Sequence, residues 1–251
     1  MIDGHLVIDF HGHVGRWDAL DAVDDPEGML RAMDAAGIDR SCVFCIFHPE
    51  GRPGNDATAA FAARHPDRFI GFAYVSPTMP RTMRPELERA VDELGMPAIK
   101  IYPPYTPYPL DDPAWDPVYG FADERGLAVI AHTGGEPTAS PELFGRAAAR
   151  FPNAVLVAAH TGNIEPYRTQ AIAAARANAN YYLETCSTYR QPGVVERIVA
   201  EAGADRVLFG SDTPLMDPRP QLGKIVTADI DAAAKRLILG GNARRLLPQR
   251  D

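Results

Sequence analysis

Eight short apolar segments recur along the chain, and they are separated by stretches in which apolar residues follow a helical spacing. The segments are nearly continuous in Val, Ile, Phe and Tyr, which is typical of parallel strands covered on both faces. They occupy residues 6–10, 42–47, 69–75, 98–102, 127–131, 154–159, 181–185 and 206–210. Strict alternation of such strands with helices indicates an α/β fold with right-handed crossovers.

The ends of the helical stretches support this alternation. Pro begins several of them and Gly follows several, which is the polarity expected of helix ends. Helices are predicted over residues 26–36, 55–65, 84–94, 113–125, 141–150, 165–177 and 193–202, and then over 220–227, 229–239 and 242–247. Eight strand–helix units in 251 residues are the usual size of a (β/α)8 TIM barrel.

The rival architecture is an open, doubly wound sheet. That fold expects a glycine-rich phosphate turn after the first strand, whereas positions 11–16 of this chain read His-Gly-His-Val-Gly-Arg. No linker, repeat or shift in composition divides the sequence. We therefore predict a single barrel domain over residues 1–251.

Composition narrows the partners and the compartment. The chain carries 33 acidic and 25 basic residues, and a net charge of −8 argues against nucleic acid as a partner. The N-terminus lacks the basic start and apolar core of a signal peptide, and no apolar stretch approaches the roughly 20 residues of a membrane span. Three cysteines do not make a disulfide framework. We therefore predict a cytoplasmic protein with a small-molecule substrate and no membrane partner, and the outer helices leave homo-oligomerisation open.

Two of the cysteines, Cys42 and Cys45, have the C-x-x-C spacing of a redox or zinc pair. They fall within a predicted strand, where positions i and i+3 point to opposite faces and disfavour a shared metal. Buried, inert thiols are the expectation.

Polar residues end four of the predicted strands. They are His11 and His13 after the first strand, His132 after the fifth, His160 after the sixth and Asp212 after the eighth. The catalytic groups of a TIM barrel lie at the carboxyl ends of its strands, so these side chains are expected to converge. His11 and His13, at i and i+2, share one face of an extended chain and can reach one ion. The set predicts a metal site, whereas His5, His48 and His65 lack comparable partners and are expected to be structural.

At these positions the sequence resembles the amidohydrolase superfamily, in its amidohydrolase-related (amidohydrolase 2) branch. The resemblance covers nearly the whole chain. It rests on Asp-Phe-His-Gly-His at 9–13, Ala-His-Thr-Gly at 131–134 and again at 159–162, Phe-Gly-Ser-Asp-Thr-Pro at 209–214 and Ile-Leu-Gly-Gly-Asn-Ala at 238–243. It implies a (β/α)8 barrel that holds one or two divalent metals and acts as a hydrolase or a non-oxidative decarboxylase.

The resemblance also implies roles for the converging residues. His11, His13, His132 and Asp212 match the ligands of a mononuclear site, and His160 matches a histidine beside the metal water or the substrate carbonyl. Three imidazoles and a carboxylate suit Zn²⁺, with Mn²⁺ as the alternative. A bound cation lowers the pKa of its water, and Asp212 is then expected to act as the base, with His160 as electrophile or proton relay.

Lys100 has two interpretations. It ends the fourth predicted strand, where binuclear relatives carry a carbamylated lysine that bridges two metals. The segment Ile-Lys-Ile-Tyr-Pro at 99–103 also resembles the branch's common Ile-Lys-Leu-His-Pro, in which the lysine is not a ligand. Tyr102 stands where that pattern often has His.

Candidate substrate-binding residues lie in the loops that follow the strands. Arg16 and Trp17 could hold a carboxylate and an apolar or aromatic group, with surface positions as the alternative. Tyr102 and Tyr105 belong to a Pro-rich, stiff loop suited to a pocket wall. Glu184 could hydrogen-bond a ligand histidine, bind substrate or make a purely structural pair. A further carboxylate, at position 136, could approach the metal or remain solvated.

Two catalytic functions fit these residues, and a third reading is not catalytic. The leading expectation is a metal-dependent hydrolase of a lactone or amide, in which a metal-activated water attacks the carbonyl carbon. The alternative is a non-oxidative decarboxylase of an aromatic or related carboxylic acid; the short chain favours hydrolysis, because decarboxylases of the branch tend to be longer. A non-catalytic barrel predicts degraded metal positions, but all five are intact. Some members of the branch work without metal, so a metal-free acid–base variant also stays open.

Overall fold

Nine parallel strands run through the computed structural model, which describes residues 4–17, 24–187, 189 and 191–247. The strands are β1 (Ile8–His13), β2 (Arg40–Phe44), β3 (Phe69–Gly71), β4 (Ala73–Tyr74), β5 (Ala98–Ile101), β6 (Ala128–His132), β7 (Val155–Ala159), β8 (Tyr181–Glu184) and β9 (Val207–Leu208). β3 and β4 are the two parts of the third predicted strand and are separated by Phe72. The eight predicted strands are therefore all present.

Hydrogen bonds between strands close the sheet into a barrel. β1 to β3 pair in order, and β4 to β9 pair in order. Phe72 N–H donates to Val43 O at 2.9 Å where β3 passes into β4. Phe10 N–H donates to Phe209 O at 2.9 Å, and Thr213 O accepts from the N–H of the last residue of β1 at 2.7 Å, so the first strand meets the last. Closure confirms the TIM barrel and excludes the open sheet; the extent of one domain over residues 1–251 stays a prediction.

Ten α-helices surround the strands in the described ranges. They are α1 (Pro26–Ala36), α2 (Arg52–Ala62), α3 (Pro80–Asp92), α4 (Asp116–Arg125), α5 (Pro141–Arg150), α6 (Tyr167–Ala177), α7 (Val194–Ala202), α8 (Pro218–Val226), α9 (Ala232–Arg236) and α10 (Asn242–Leu246). The predicted punctuation holds at α1, where the Asp25 side chain accepts from Gly28 N–H and Gly37 ends the helix at φ 79°. In the same ranges, no helix is long and apolar enough to cross a membrane.

Several helix boundaries differ from the prediction, and two of the differences are informative. α3 begins four residues before the predicted 84 and contains Pro85 within its first two turns. After α9 the chain makes a π-helical turn (Leu237–Gly241) instead of a break between two helices. Gly240 lies in this turn against the segment that leads into β1, where a Cβ would be 2.3 Å from Leu6 O. Only glycine permits that approach.

The core has an inner and an outer layer. Inside the barrel, Phe10, Phe44 and Phe72 pack together, while a larger cluster fills the space between the strands and the helices. Cys42 belongs to the inner layer and Cys45 to the outer one, and both are buried and free. The strand periodicity thus separates the two thiols, as predicted. With the inner layer filled by aromatic rings, the open space lies at the carboxyl ends of the strands.

Candidate active site

A cavity of about 160 Å³ opens at the carboxyl ends of the strands. All five polar residues singled out in the sequence line it, namely His11, His13, His132, His160 and Asp212. They come from β1, β6 and the turns after β7 and β9. Residues up to 201 positions apart in sequence, such as His11 and Asp212, therefore share one small space.

A register shift in β1 directs its two histidines into this cavity. The pairing of β1 with β2 is regular at Asp9 and is displaced before Gly12. Phe10 packs in the inner layer, and after the shift the rings of His11 and His13 lie 5.2 and 5.0 Å from the inner ring of Phe44. A Cβ on Gly12 would stand 3.0 Å from the backbone of β2, so glycine allows the strands to stay paired there.

Asp9 stabilises this bulge. Its buried carboxylate accepts from His11 N–H at 3.1 Å and from Ser211 N–H at 2.8 Å, and the hydroxyl of Ser211 donates to it as well. Burial raises the pKa of Asp9 to about 7, against the lowering effect of these hydrogen bonds. The aspartate therefore ties the first strand to the last at the level of the cavity.

Glu184 holds the ring of His11. Glu184 Oε2 lies 3.0 Å from His11 Nδ1, and both side chains are buried. An ionised carboxylate accepts only, so the proton of the neutral imidazole resides on Nδ1 and the lone pair on Nε2. Nε2 faces Asp212 Oδ1 at 3.3 Å. Glu184 does not line the cavity, which speaks against direct substrate binding; the contact with His11 fits both a partner of a ligand histidine and a structural pair.

Asp212 is the point at which the donor atoms converge. Its Oδ1 lies 2.9 Å from His13 Nε2, and one donor atom from each of His11, His13 and Asp212 lies within 4.8 Å of the other two. Burial opposes the charged form, but His11 and the hydrogen bond from His13 lower the pKa of Asp212 well below its usual range. The backbone of Asp212 has φ 66°, a strained conformation for a non-glycine residue.

His160 and His132 form a chain of fixed protons. His160 Nδ1 donates to the backbone carbonyl of Cys186 at 2.8 Å, so its Nε2 accepts from His132 Nδ1 at 3.0 Å. This leaves the lone pair of His132 on Nε2, a buried atom without a hydrogen-bond partner among the residues described. Glu136 Oε1 lies 3.3 Å from it, but at an angle that makes no hydrogen bond. Burial and repulsion from His132 lower the pKa of His160 to about 4, so this ring is neutral near pH 7.

His132 stands apart from the group of three donor atoms. It lines the same cavity, yet it does not belong to the group that His11, His13 and Asp212 form within 4.8 Å. Its assignment as a metal ligand stays a prediction.

Lys100 lies beneath the histidines. Its Nζ is 3.3 Å from His11 Nε2 and 4.5 Å from the centre of the Phe44 ring, and the side chain is fully buried. Burial lowers the pKa of Lys100 to about 8, against the attraction of Asp212. Both interpretations of this lysine, bridging carbamate and non-ligand, stay predictions.

The predicted substrate-binding residues divide into two groups. Trp17 and Tyr102 line the cavity, together with Leu215 and Met216. Tyr105 is 48% exposed and packs on Tyr102, with ring centres 4.5 Å apart, so it supports the wall from outside. Arg16 is exposed and does not line the cavity.

Besides the apolar Leu215 and Met216, three residues near the site were not identified from the sequence. Asn163 and Ser187 line the cavity. The thiol of buried Cys186 lies 3.0 Å from Glu184 Oε2 and its carbonyl orients His160. A signal was available, because each follows a strand end by two to four residues, as the catalytic groups of TIM barrels do.

Comparison with known proteins gives a consistent family. The model of the amidohydrolase family matches residues 8–249. A γ-resorcylate decarboxylase from Polaromonas sp. (strain JS666) is 24% identical in an alignment 280 positions long, which covers 88% of this chain and 82% of that protein.

Two solved structures extend this likeness to the fold. A dihydroxybenzoic acid decarboxylase from Polaromonas sp. JS666, with bound manganese and the inhibitor 2-nitroresorcinol, superposes with a TM-score of 0.79 at 18% identity, covering 96% of each chain. A 5-carboxyvanillate decarboxylase from Novosphingobium aromaticivorans, with manganese and 4-hydroxy-3-methoxy-5-nitrobenzoic acid, does so with a TM-score of 0.78 at 17% identity, covering 97% of this chain and 96% of that one. At these identities the superpositions establish the barrel.

These relatives correct the leading functional expectation. They are decarboxylases, so the expectation of a lactone or amide hydrolase is wrong, and the alternative of non-oxidative decarboxylation is better supported. The argument from chain length failed because a matched decarboxylase aligns over 82% of its own length with this shorter chain.

Proposed function

The chain belongs to the amidohydrolase family, and on that premise we propose that it is a metal-dependent, non-oxidative decarboxylase of a small hydroxylated aromatic acid. The observation that carries the proposal is the convergence of donor atoms of His11, His13 and Asp212 within 4.8 Å in a cavity walled by Trp17 and Tyr102. It joins a cation site to a surface for an aromatic ring.

The donor atoms fit a divalent metal. Ligands about 2.0–2.2 Å from one ion lie within about 4.4 Å of each other, close to the spacing of this group. Glu184 accepts from His11 Nδ1, as carboxylates do behind metal-binding histidines, and so directs the Nε2 lone pair at the centre. His132 Nε2 is buried and makes no hydrogen bond in the described part of the chain, although Glu136 Oε1 lies 3.3 Å away. We assign the ion to His11, His13, His132 and Asp212, as predicted.

Manganese is the ion we propose, with zinc as the alternative. Imidazole and carboxylate donors accept both ions, so the donor set alone does not discriminate. Manganese is the ion present in the two decarboxylases of the same fold. The expectation of zinc is without such support.

The cavity has the size of a single aromatic ring. Its volume is about 160 Å³, and an apolar cavity of about 150 Å³ holds benzene. Trp17, Tyr102, Leu215 and Met216 supply apolar walls, while the histidines and Asp212 supply polar ones. A benzoic acid with ring hydroxyls matches this division.

The reaction that we derive transfers a hydroxyl proton to a ring carbon, breaks one carbon–carbon bond and takes one further proton from water. A divalent ion held by His11, His13, His132 and Asp212 would supply positive charge that favours binding of an anionic carboxylate and an ionised ring hydroxyl. Asp212, kept ionised by His11 and His13, takes the proton of that hydroxyl and delivers it to the ring carbon that bears the carboxylate. The bond from this carbon to the carboxylate then breaks, its electron pair returns to the ring, and CO₂ leaves. The phenolate product takes a proton from water.

His160 holds His132 in this scheme. Both ring nitrogens of His160 are engaged, one by the Cys186 carbonyl and the other by His132. We propose that His160 fixes the tautomer of His132. The same contact holds the His160 ring at the cavity wall, where the resemblance predicts a histidine beside the substrate.

The test is release of CO₂ from a panel of hydroxybenzoates, run beside acid release from lactones and amides. We expect metal-loaded protein to release CO₂ from an ortho-hydroxylated benzoate and to leave the lactones and amides intact. Asp212→Asn serves as the matched control, because it keeps the shape of the side chain and removes its basic oxygen. Absence of CO₂ release from every acid in the panel, by protein that binds the metal, would overturn the proposal.

A further inference from the structure

Asn163 lies in the wall of the cavity in a rarely populated backbone conformation. It follows the turn after β7 and has φ 63° and ψ −59°, close to the strained, classic γ-turn. Its N–H donates to His160 O at 2.8 Å, and its carbonyl accepts from Arg168 Nη2 at 2.7 Å. Arg168 is only 3% exposed, so a buried cation anchors the strained residue. Backbone strain that the surroundings maintain in this way concentrates at ligand-binding positions.

The side chain of Asn163 is oriented by Ser187. The Ser187 hydroxyl donates to Asn163 Oδ1 at 2.5 Å. Ser187 is itself fixed, because its N–H donates to Gln221 Oε1 at 3.2 Å and its carbonyl accepts from Lys224 Nζ at 2.6 Å. Because Oδ1 accepts from Ser187, the amide nitrogen Nδ2 lies on the other branch of the amide group, away from the Ser187 hydroxyl.

Asn163 is exposed, and within the described residues its Nδ2 makes no hydrogen bond. The residue lines the cavity that holds His11, His13 and Asp212, so this amide is available to a ligand there. Nδ2 belongs to a neutral amide and carries two N–H bonds, so it can only donate. Its chemical complement is an oxygen of the substrate that the metal does not hold.

We propose that Asn163 is a specificity-determining residue that donates from Nδ2 to a second ring oxygen of the aromatic acid, and that Ser187 fixes the amide in the donating orientation. This inference rests on the proposed function. It narrows the substrate class to benzoic acids with an oxygen substituent beyond the ortho hydroxyl next to the reacting carboxylate, such as 2,6-dihydroxybenzoate.

The test compares two ligands that differ by one hydroxyl. Affinities of metal-loaded protein for 2,6-dihydroxybenzoate and 2-hydroxybenzoate are measured by calorimetry for the native protein and for Asn163→Ala. We expect Asn163→Ala to weaken binding of the dihydroxy acid about three- to tenfold, the effect of one neutral hydrogen bond, and to change binding of the monohydroxy acid less than twofold. Metal content should stay unchanged.

Ser187→Ala provides a second variant that leaves the backbone of the strained turn alone. It should weaken binding of the dihydroxy acid in the same direction but by less, because the amide is then free to rotate. The matched control is Gln170→Ala, which removes a similar pair outside the cavity, where Ser140 Oγ donates to Gln170 Oε1 at 3.0 Å. This control should leave both affinities unchanged.

Binding affinities test the role of Asn163, and CO₂ release tests the proposed function, so the two claims can fail separately. Equal weakening for both acids, or none for either in both variants, overturns the role of Asn163 whatever the rate of CO₂ release. Selective weakening supports it, even if no acid is decarboxylated, in which case the proposed reaction alone fails.

Discussion

Replacing Glu184 by Gln should weaken metal binding without unfolding the barrel. The carboxylate accepts from four groups, namely His11 Nδ1, His160 N–H, the Cys186 thiol and Cys186 N–H. An amide has only one oxygen, so in either orientation its NH₂ group faces a donor. Glu184→Gln also removes the negative charge that makes the His11 Nε2 lone pair more basic.

The magnitude follows from the position of Glu184 behind a histidine proposed to bind metal. Loss of such a carboxylate partner lowers metal affinity about 10- to 100-fold, which corresponds to about 1.4–2.7 kcal/mol. We expect this range because Glu184 is fully buried and no water can replace the missing acceptor. If the loss of the carboxylate also lets the His11 ring rotate, the decrease in metal affinity should lie at the upper end of this range.

The assay is competition for Mn²⁺ between the protein and a chelating dye, with far-UV circular dichroism to verify folding. Glu86→Gln is the matched control, because Glu86 is also buried and accepts from Asn55 and Arg89, and none of these residues lines the cavity. It should change stability but not metal affinity. A folded Glu184→Gln protein that binds Mn²⁺ as tightly as the native protein would refute the reasoning about His11.

Three further expectations concern catalysis, packing and the thiols. Asp212→Asn should keep the fold and most of the metal while CO₂ release falls at least about 100-fold, and near-native turnover in a stopped assay would contradict its role as proton carrier. Gly240→Ala should lower the free energy of unfolding in urea by about 1–3 kcal/mol, because the new Cβ would meet Leu6 O. Gly223→Ala, which has open space around it, should not lower it. Equal losses in the two variants would refute the steric argument. A thiol reagent should label none of the three buried cysteines in the native protein and all three in denaturant. Burial shields the thiols and raises the pKa of the Cys42 thiol, so little thiolate is present to react. Fast labelling of the native protein would be incompatible with this packing.

The barrel and the set of converging side chains could be predicted from the sequence because both depend on local patterns. Apolar runs alternate with punctuated helices, and the rule that active groups follow strand ends places His132, His160 and Asp212 together. His11 and His13 share a face, as their i and i+2 spacing predicts.

The path of β1 could not be predicted in this way. Regular alternation places Ile8 and Phe10 on one face and His11 and His13 on the other, yet all four side chains lie on the inner side of the barrel. The register shift that reconciles them depends on the contacts of Asp9 with the distant strand end. Such pairing over about 200 residues leaves no periodic signal in the sequence.

The hydrogen-bond partners of the histidines could not be predicted from the sequence either. That Glu184 meets His11, and that the Cys186 carbonyl fixes His160, follows from how neighbouring strand ends are staggered around the closed barrel. The choice between hydrolysis and decarboxylation was missed for another reason. The same ligands and the same base were expected for both reactions, so the residues singled out in the sequence could not separate them, and the relatives decided the matter.

The most direct test of metal-dependent decarboxylation is to titrate Mn²⁺ into metal-free protein while CO₂ release from 2,6-dihydroxybenzoate is followed. We expect the rate to rise from near zero and to saturate at about one ion per chain, with the rise abolished in His11→Ala. A rate that is independent of added metal, or no CO₂ at full occupancy, would contradict the account.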